Sequence, residues 1–204
     1  VGRPRVHDDE LRERLLATAG RLITERGVTG LSLRVLAAEE GTSTTAVYSL
    51  FGGRTGLLTA LFQQSFSSFG AAQRAVPVTD DAHADLVALG WAYRDWALAH
   101  PHAYRVMFGG ALTGFEPTPQ EWEFAGATIG PLREAVARAI RAGVVADLPD
   151  VITHSLWATV HGLVSLVLAD CAPPDEQDRR VYGRALEAIV CGFAAPAGPP
   201  PRST

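Results

Sequence analysis

With 204 residues, 47% of them apolar, the chain is long enough to bury more than one sizeable core, and 18 basic against 22 acidic residues give a net charge of −4. That balance excludes indiscriminate polyanion binding, and two cysteines exclude a disulfide framework. The charge is unevenly spread: through Arg54 eight Arg face seven acidic residues, a surplus of +1, while the remainder has ten Arg against fifteen, or −5, so any positive surface is local.

The opening VGRPRVHDDELRERL has no signal-peptide core, and no run of about eighteen apolar residues is read without a charge or breaker, which predicts a cytoplasmic protein. Arg3 and Arg5 flank Pro4 in a short basic arm suited to a phosphate backbone or a minor groove. From 8 to 26 the apolar stripe Leu11, Leu15, Leu16, Ala19, Leu22 and Ile23 opposes Glu10, Arg14, Arg21 and Glu25, the pattern of a supporting helix. Ser32 stands where a cap would precede the apolar positions Leu33, Leu36 and Ala37, and Gly41 ends that helix. Ser43 and Thr44 cap a second short helix in which Ala46, Val47 and Leu50 point inward and Thr45, Tyr48 and Ser49 outward. Phe51 closes the packing, Gly52 and Gly53 form a bend, and a helix begins at Arg54 with the apolar series Leu57, Leu58, Leu61, Phe62, Phe66 and Phe69, running to about Arg74.

Residues 31 to 58 therefore spell a helix-turn-helix, and the segment resembles the N-terminal domain of TetR-family transcriptional regulators. The resemblance rests on Gly41, Ser43, Ala46, Val47, Tyr48, Ser49, Phe51 and Arg54; Leu50 stands where many members have histidine, and Arg54 where lysine is usual. It implies a DNA-binding surface of Arg3, Arg5, Ser32, Ser43, Thr44, Tyr48 and Arg54 toward phosphates or the duplex edge and Thr45, Ala46 and Ser49 toward bases.

After a break at Pro77 and a cap among Thr79, Asp80 and Asp81, helices are expected over 82–99, 101–108, 119–143, 149–170 and 175–194, with a loop at 109–118 and no strand pattern of any length. The expected class is all-α: a three-helix DNA-binding domain over 1–54, a larger helical ligand-binding and dimerisation domain over 55–195, and a flexible Pro/Gly-rich tail over 196–204. Trp91, Trp96, Tyr104, Phe108, Trp122 and Trp157, interleaved with small residues, suggest either ordinary core or an apolar pocket for a small hydrophobic or aromatic molecule. The stretches Ala103–Phe108 and Leu156–Leu166 resemble a TetR-type C-terminal domain named for its Trp-His-Gly motif, with Trp157 set apart from His161 and Gly162; this adds His161 to the ligand-binding candidates.

Apolar faces at Val151, Ile152, Ser155, Leu156, Thr159, Leu163 and Leu166, and at Val181, Ala185, Leu186, Ile189 and Phe193, are suited to a homodimer built from the last two helices, which would set two readers on a palindromic operator. Cys171 and Cys191 read as buried thiols. His100 and His102, and His154 with His161, lack the carboxylate or Cys cluster a metal site needs, so neither metal nor cofactor is expected. No G-x-S-x-G elbow, phosphate loop, H-E-x-x-H or dinucleotide fingerprint is present, and no catalytic residue is assigned. The competing readings are a helical protein-interaction module without DNA affinity and a small-molecule enzyme on a helical fold.

Overall fold

A computed structural model describes residues 5–108 and 110–195; Arg3, the side chain of Arg5 and the segment 196–204 lie outside the described residues. Ten α-helices follow one another: α1 Arg5–Arg26, α2 Leu33–Glu39, α3 Thr44–Phe51, α4 Arg54–Arg74, α5 Ala82–Ala99, α6 Pro101–Phe108, α7 Pro119–Ala127, α8 Gly130–Arg141, α9 Pro149–Leu168 and α10 Asp175–Gly192. A 3-10 turn, Val28–Gly30, joins α1 to α2. Among the described residues the only extended pairing is an isolated antiparallel bridge between Val145 and Ala194. The chain is all-α, as its periodicities require.

Two compact units result. Of the described residues, the first takes those up to Phe69 together with His100–Thr128, and the second takes Gly70–Ala99 and those from Ile129 to Ala195. The division thus falls inside α4, between Phe69 and Gly70. In the first unit the expected stripe of α1 is buried throughout, as is the whole series from Leu57 to Phe69 on α4. Buried in the second are Leu86 and Leu89 of α5, Ala135, Val136 and Ala139 of α8, Ile152 and Leu156 of α9, and Val190 of α10.

Several details depart from the sequence reading. The single helix expected over 119–143 is two, because Thr128 turns its hydroxyl onto the Ala125 carbonyl at 2.7 Å and Pro131, near the start of α8, has no N–H to continue a helix from α7. α7 has its own start, a capping box in which the Glu121 amide donates to Thr118 Oγ1 at 3.3 Å and the Thr118 amide to Glu121 Oε2 at 2.6 Å. The Thr118 amide bond, with smaller contributions from the Thr118 and Thr59 hydroxyls, holds the Glu121 carboxyl below its ordinary range against the opposing effect of burial. Ser32 occupies a cap position but its hydroxyl makes no cap bond, since it lies exposed and leaves the first-turn amides of α2 to solvent. Cys171 and Cys191 are exposed, not buried, because one follows the end of α9 and the other lies in the last turn of α10.

By length and a mean hydropathy of 1.5, Pro149–Leu168 is long and apolar enough to cross a membrane, although it contains Pro149, Asp150 and Gly162. Only 28% of the apolar window is buried. Ile152, Leu156, Val160 and Val164 face the core, whereas Val151, Ala158, Gly162 and Leu166 form an exposed line along the other side. The broad face read from sequence is therefore divided between interior and surface.

Candidate functional site

The helix-turn-helix is built in the first unit. α3 starts at Ser43, whose hydroxyl accepts the Ala46 amide at 3.1 Å. It ends at Gly52, with φ +70°, followed by Gly53 at φ +124°, conformations that side chains other than glycine rarely take. Val47 and Phe51 are buried, and the guanidinium of Arg12 lies 5.5 Å from the centre of the Phe51 ring. What is left outward is the expected set: Thr45, Tyr48 and Ser49 are exposed, Thr44 and Ala46 half-buried, and Ser43 exposed at the helix start. Tyr48 is 57% exposed, with its ring edge lying beside Gly53, where a Cβ would sit 3.4 Å away. Leu50, expected inside, is half-buried.

α2 is fixed to α1 by side chains the sequence reading used only as a helix ending. Glu40 accepts from Arg14 Nε at 3.1 Å and from the Thr18 hydroxyl at 2.5 Å, and Glu39 accepts from Arg21, which also reaches Glu25 at 3.0 Å. Bonds to Glu25 and Glu39 raise the Arg21 pKa further above its already high value. Glu39 and Glu40 are thereby paired with basic or hydroxyl partners on α1. The sequence carried a trace of this clamp in the spacing of Arg14, Thr18 and Arg21, one helical face apart from the apolar stripe.

Arg54 is exposed, but one guanidinium nitrogen donates to the Val28 carbonyl, tying the start of α4 to the 3-10 turn. Two neighbours of the reader escape the sequence reading. Arg34, exposed in the first turn of α2, was not among the expected contacts. Gly56 was read as an ordinary helix residue, yet a Cβ there would lie 1.9 Å from the Phe51 carbonyl oxygen.

Of the aromatic candidates, Tyr104, Phe108 and Trp122 belong to the first unit and Trp91, Trp96 and Trp157 to the second. In the first unit Tyr104 and Phe108 have ring centres 5.1 Å apart, Phe108 meets Phe66 at 6.1 Å, and Phe62 meets Phe66, Phe115 and Trp122 at 4.8, 5.9 and 5.8 Å. Trp122 remains 55% exposed. In the second unit Trp157 meets His161 at 6.2 Å, and His161 Nδ1 is 3.0 Å from the Tyr93 hydroxyl. Trp91 is elsewhere in that unit, 5.0 Å from Tyr182 and beneath the Arg179 guanidinium at 4.7 Å, while Trp96 is buried. A cavity of about 110 Å³ in the second unit is lined by Gln73, Asp85, Leu89, Glu134 and Arg138 among others, and one of about 400 Å³ in the first by Ile23, Thr24, Val28, Arg105 and Thr113 among others. None of the sequence-assigned ligand residues lines either.

Asp85, buried beside the smaller cavity, accepts the Thr79 hydroxyl at 2.8 Å, the Thr79 amide at 3.1 Å and Arg138 at 3.3 Å, and these bonds, led by the hydroxyl, hold its pKa below the usual carboxylate range. Burial alone pushes the His161 imidazole the other way for a base, below its ordinary 6.5. An unfolded His161 therefore binds a proton that the folded one resists. Stability from this group is complete above about pH 6.5 and is lost as pH falls through the lower folded value. Thermal melting compared at about pH 8 and about pH 5 should show a smaller acid loss in His161→Gln than in the parent chain. An equal loss would place the acid sensitivity in other groups.

A family model described as "Bacterial regulatory proteins, tetR family" matches residues 15–61, and one described as "Tetracyclin repressor-like, C-terminal domain" matches residues 86–190. Among curated proteins, the HTH-type transcriptional regulators Rv1816 of Mycobacterium tuberculosis and Mb1846 of Mycobacterium bovis are each 27% identical to this chain over 155 residues, 74% of its length. The chain spans 66% of the length of each of those relatives, just under two thirds. Of solved structures, a Rhodococcus sp. RHA1 protein of unknown function is 31% identical with a TM-score of 0.75, over 90% of this chain and 95% of that one. The TetR family transcriptional regulator PfmR from Thermus thermophilus shares the fold at a TM-score of 0.73 and 19% identity, over 88% of this chain and 97% of that one.

Proposed function

Since the chain belongs to the TetR family of bacterial regulatory proteins, we propose that it is a cytoplasmic, ligand-responsive repressor which binds a palindromic operator as a homodimer and leaves it when a small hydrophobic or aromatic molecule binds the helical domain over 55–195. The relatives it matches are regulators and not enzymes. The observation that carries the DNA-binding part is α3: a capped helix held by Val47 and Phe51 that turns Thr45, Tyr48 and Ser49 outward. Ser43, Thr44, Tyr48 and Arg54, with Arg34 added, are assigned to phosphates; Thr45, Ala46 and Ser49 to base edges, where short side chains without a bidentate donor give modest direct readout.

Dimerisation is supported by the exposed line on α9. A glycine in an exposed helix costs about 1 kcal/mol relative to alanine, and at Gly162 a Cβ would meet nothing within 4 Å, so packing within the chain does not demand it. A second copy approaching closely along Val151, Ala158, Gly162 and Leu166 gives it a reason. For ligand recognition, the Tyr93–His161 pair and the ring of Trp157 supply polar tips on an aromatic wall, and Tyr104, Phe108 and Trp122 a second such wall in the other unit. A ligand shifts operator occupancy only by its difference in affinity between the bound and released conformations.

The test is fluorescence anisotropy of labelled DNA from upstream of the chain's own gene, titrated at several salt concentrations against unrelated duplex. Saturable binding with two chains per site and a preference for that DNA is expected. Arg54→Ala should weaken binding to every sequence and flatten the logarithmic salt slope by about one unit. A lower melting temperature with an unchanged slope would restrict Arg54 to its bond with Val28. Absence of duplex binding at low salt would overturn the regulator in favour of a protein-interaction module.

A further inference from the structure

Away from the reader and the aromatic clusters, three side chains of metal-binding type converge in the second unit. His83 stands in the first turn of α5, and Glu187 and Cys191 lie one turn apart on α10. His83 Nε2 is 2.8 Å from Glu187 Oε2, and these atoms and Cys191 Sγ all lie within 4.8 Å of one another. We propose that His83, Glu187 and Cys191 form a binding site for a divalent transition-metal ion of the zinc class.

The donor set selects that class. An imidazole nitrogen and a sulfur are poor ligands for magnesium or calcium, which prefer oxygen throughout, whereas zinc-like ions take nitrogen, sulfur and carboxylate together. Bonds of about 2.0–2.3 Å in a tetrahedron separate the donors by about 3.3–3.8 Å, so His83 and Glu187 must part by about half an ångström and Cys191 Sγ approach by about one. Glu187 and Cys191 are exposed and His83 is half-buried, so what must yield is the His83–Glu187 hydrogen bond. Three ligands leave the fourth position to water. As the ion binds, the Cys191 thiol gives up its proton to solvent, and the proton that His83 Nε2 holds against Glu187 is exchanged through solvent for one on Nδ1, freeing the Nε2 lone pair. The thiolate and carboxylate together balance the charge of the ion.

Val181 and Ala185, of the proposed dimer face, lie on one side of α10, while Glu187 and Cys191 are rotated toward the side where Gly183 meets the Trp91 ring of α5, with 3.1 Å from a Cβ at Gly183 to that ring. A bound ion would clamp the beginning of α5 to the end of α10. Thr79 and Asp81 already tie down that beginning, Asp81 by accepting the Ala84 amide at 2.9 Å and Thr79 by its bonds to Asp85. The site is thus mounted on an ordered turn, not on a loose loop.

Cobalt(II) titrated into the reduced full chain is the decisive probe. The expected result is a near-ultraviolet thiolate-to-cobalt charge-transfer band that saturates at one ion per chain and is bleached by zinc. It should vanish in Cys191→Ser, require at least about tenfold more cobalt in His83→Ala or Glu187→Gln, and persist in Cys171→Ser and in the His100→Gln/His102→Gln double variant. Zinc should raise the melting temperature of the parent chain and not of Cys191→Ser, an exposed position. No charge-transfer band, or one that survives Cys191→Ser, would overturn the site and leave His83 and Glu187 as a surface ion pair.

Discussion

Asp178→Ala is expected to cost about 3–5 kcal/mol of folding stability, among the largest effects of any single substitution in the second unit. Asp178 accepts from Arg94 Nη2 at 2.6 Å, and the two side chains are only 9% and 10% exposed. The guanidinium lies 5.6 Å from the centre of the Tyr182 ring, whose hydroxyl in turn donates to the Gly90 carbonyl at 2.6 Å. Arg94 Nε, also buried, has no partner. Removing the carboxylate leaves a full positive charge in that setting with one ring face as its remaining support. The urea midpoint measures the loss, and replacing both partners together, Arg94→Met with Asp178→Leu, should recover most of it because an apolar pair has no charge to desolvate. A loss below about 1 kcal/mol for Asp178→Ala would mean that water reaches the pair.

Gly56→Ala should destabilise the first unit by about 3 kcal/mol, lowering the melting temperature by about 6–12 °C and removing operator binding with it. The sign is what makes the experiment informative. In an ordinary helix the same change gains about 1 kcal/mol, since glycine has the greater freedom to lose. Here the added Cβ would meet the Phe51 carbonyl oxygen at 1.9 Å and its carbon at 3.1 Å, so either the end of α3 or the first turn of α4 must move. Both choices disturb the seat of Phe51. A variant that melts higher than the parent would show that the close approach is absent.

These two sites also mark where sequence reasoning stops. The reader was legible because its determinants are local: a serine before a short helix, glycines where φ turns positive, and apolar residues three and four apart. The clamp on α2 was not, since Glu39 and Glu40 find their partners 18 to 26 residues away on α1. Gly56 escaped for a similar reason, its constraint being a carbonyl in another helix. The chain leaves the first unit at Gly70 and returns to it at His100, and no residue type announces that return, so the assignment of Trp91 and Trp96 to one unit and of Tyr104 and Trp122 to the other was not legible in the sequence. The trio of His83, Glu187 and Cys191 was invisible for the opposite reason, with over a hundred residues between neighbours in space.

The reader divides its labour by face. Val47 and Phe51 hold α3 from within, and Arg14, Thr18 and Arg21 hold α2 from behind, while Thr45, Tyr48 and Ser49 contribute nothing to the interior. Surface substitutions of that kind change stability by about 0.5 kcal/mol or less. On the proposed assignment of these residues, descendants of this gene can acquire a new operator by drift at three outward positions without approaching the stability limit that removes most variants. Duplicated copies could diverge in the promoters they govern while inheriting an unchanged scaffold.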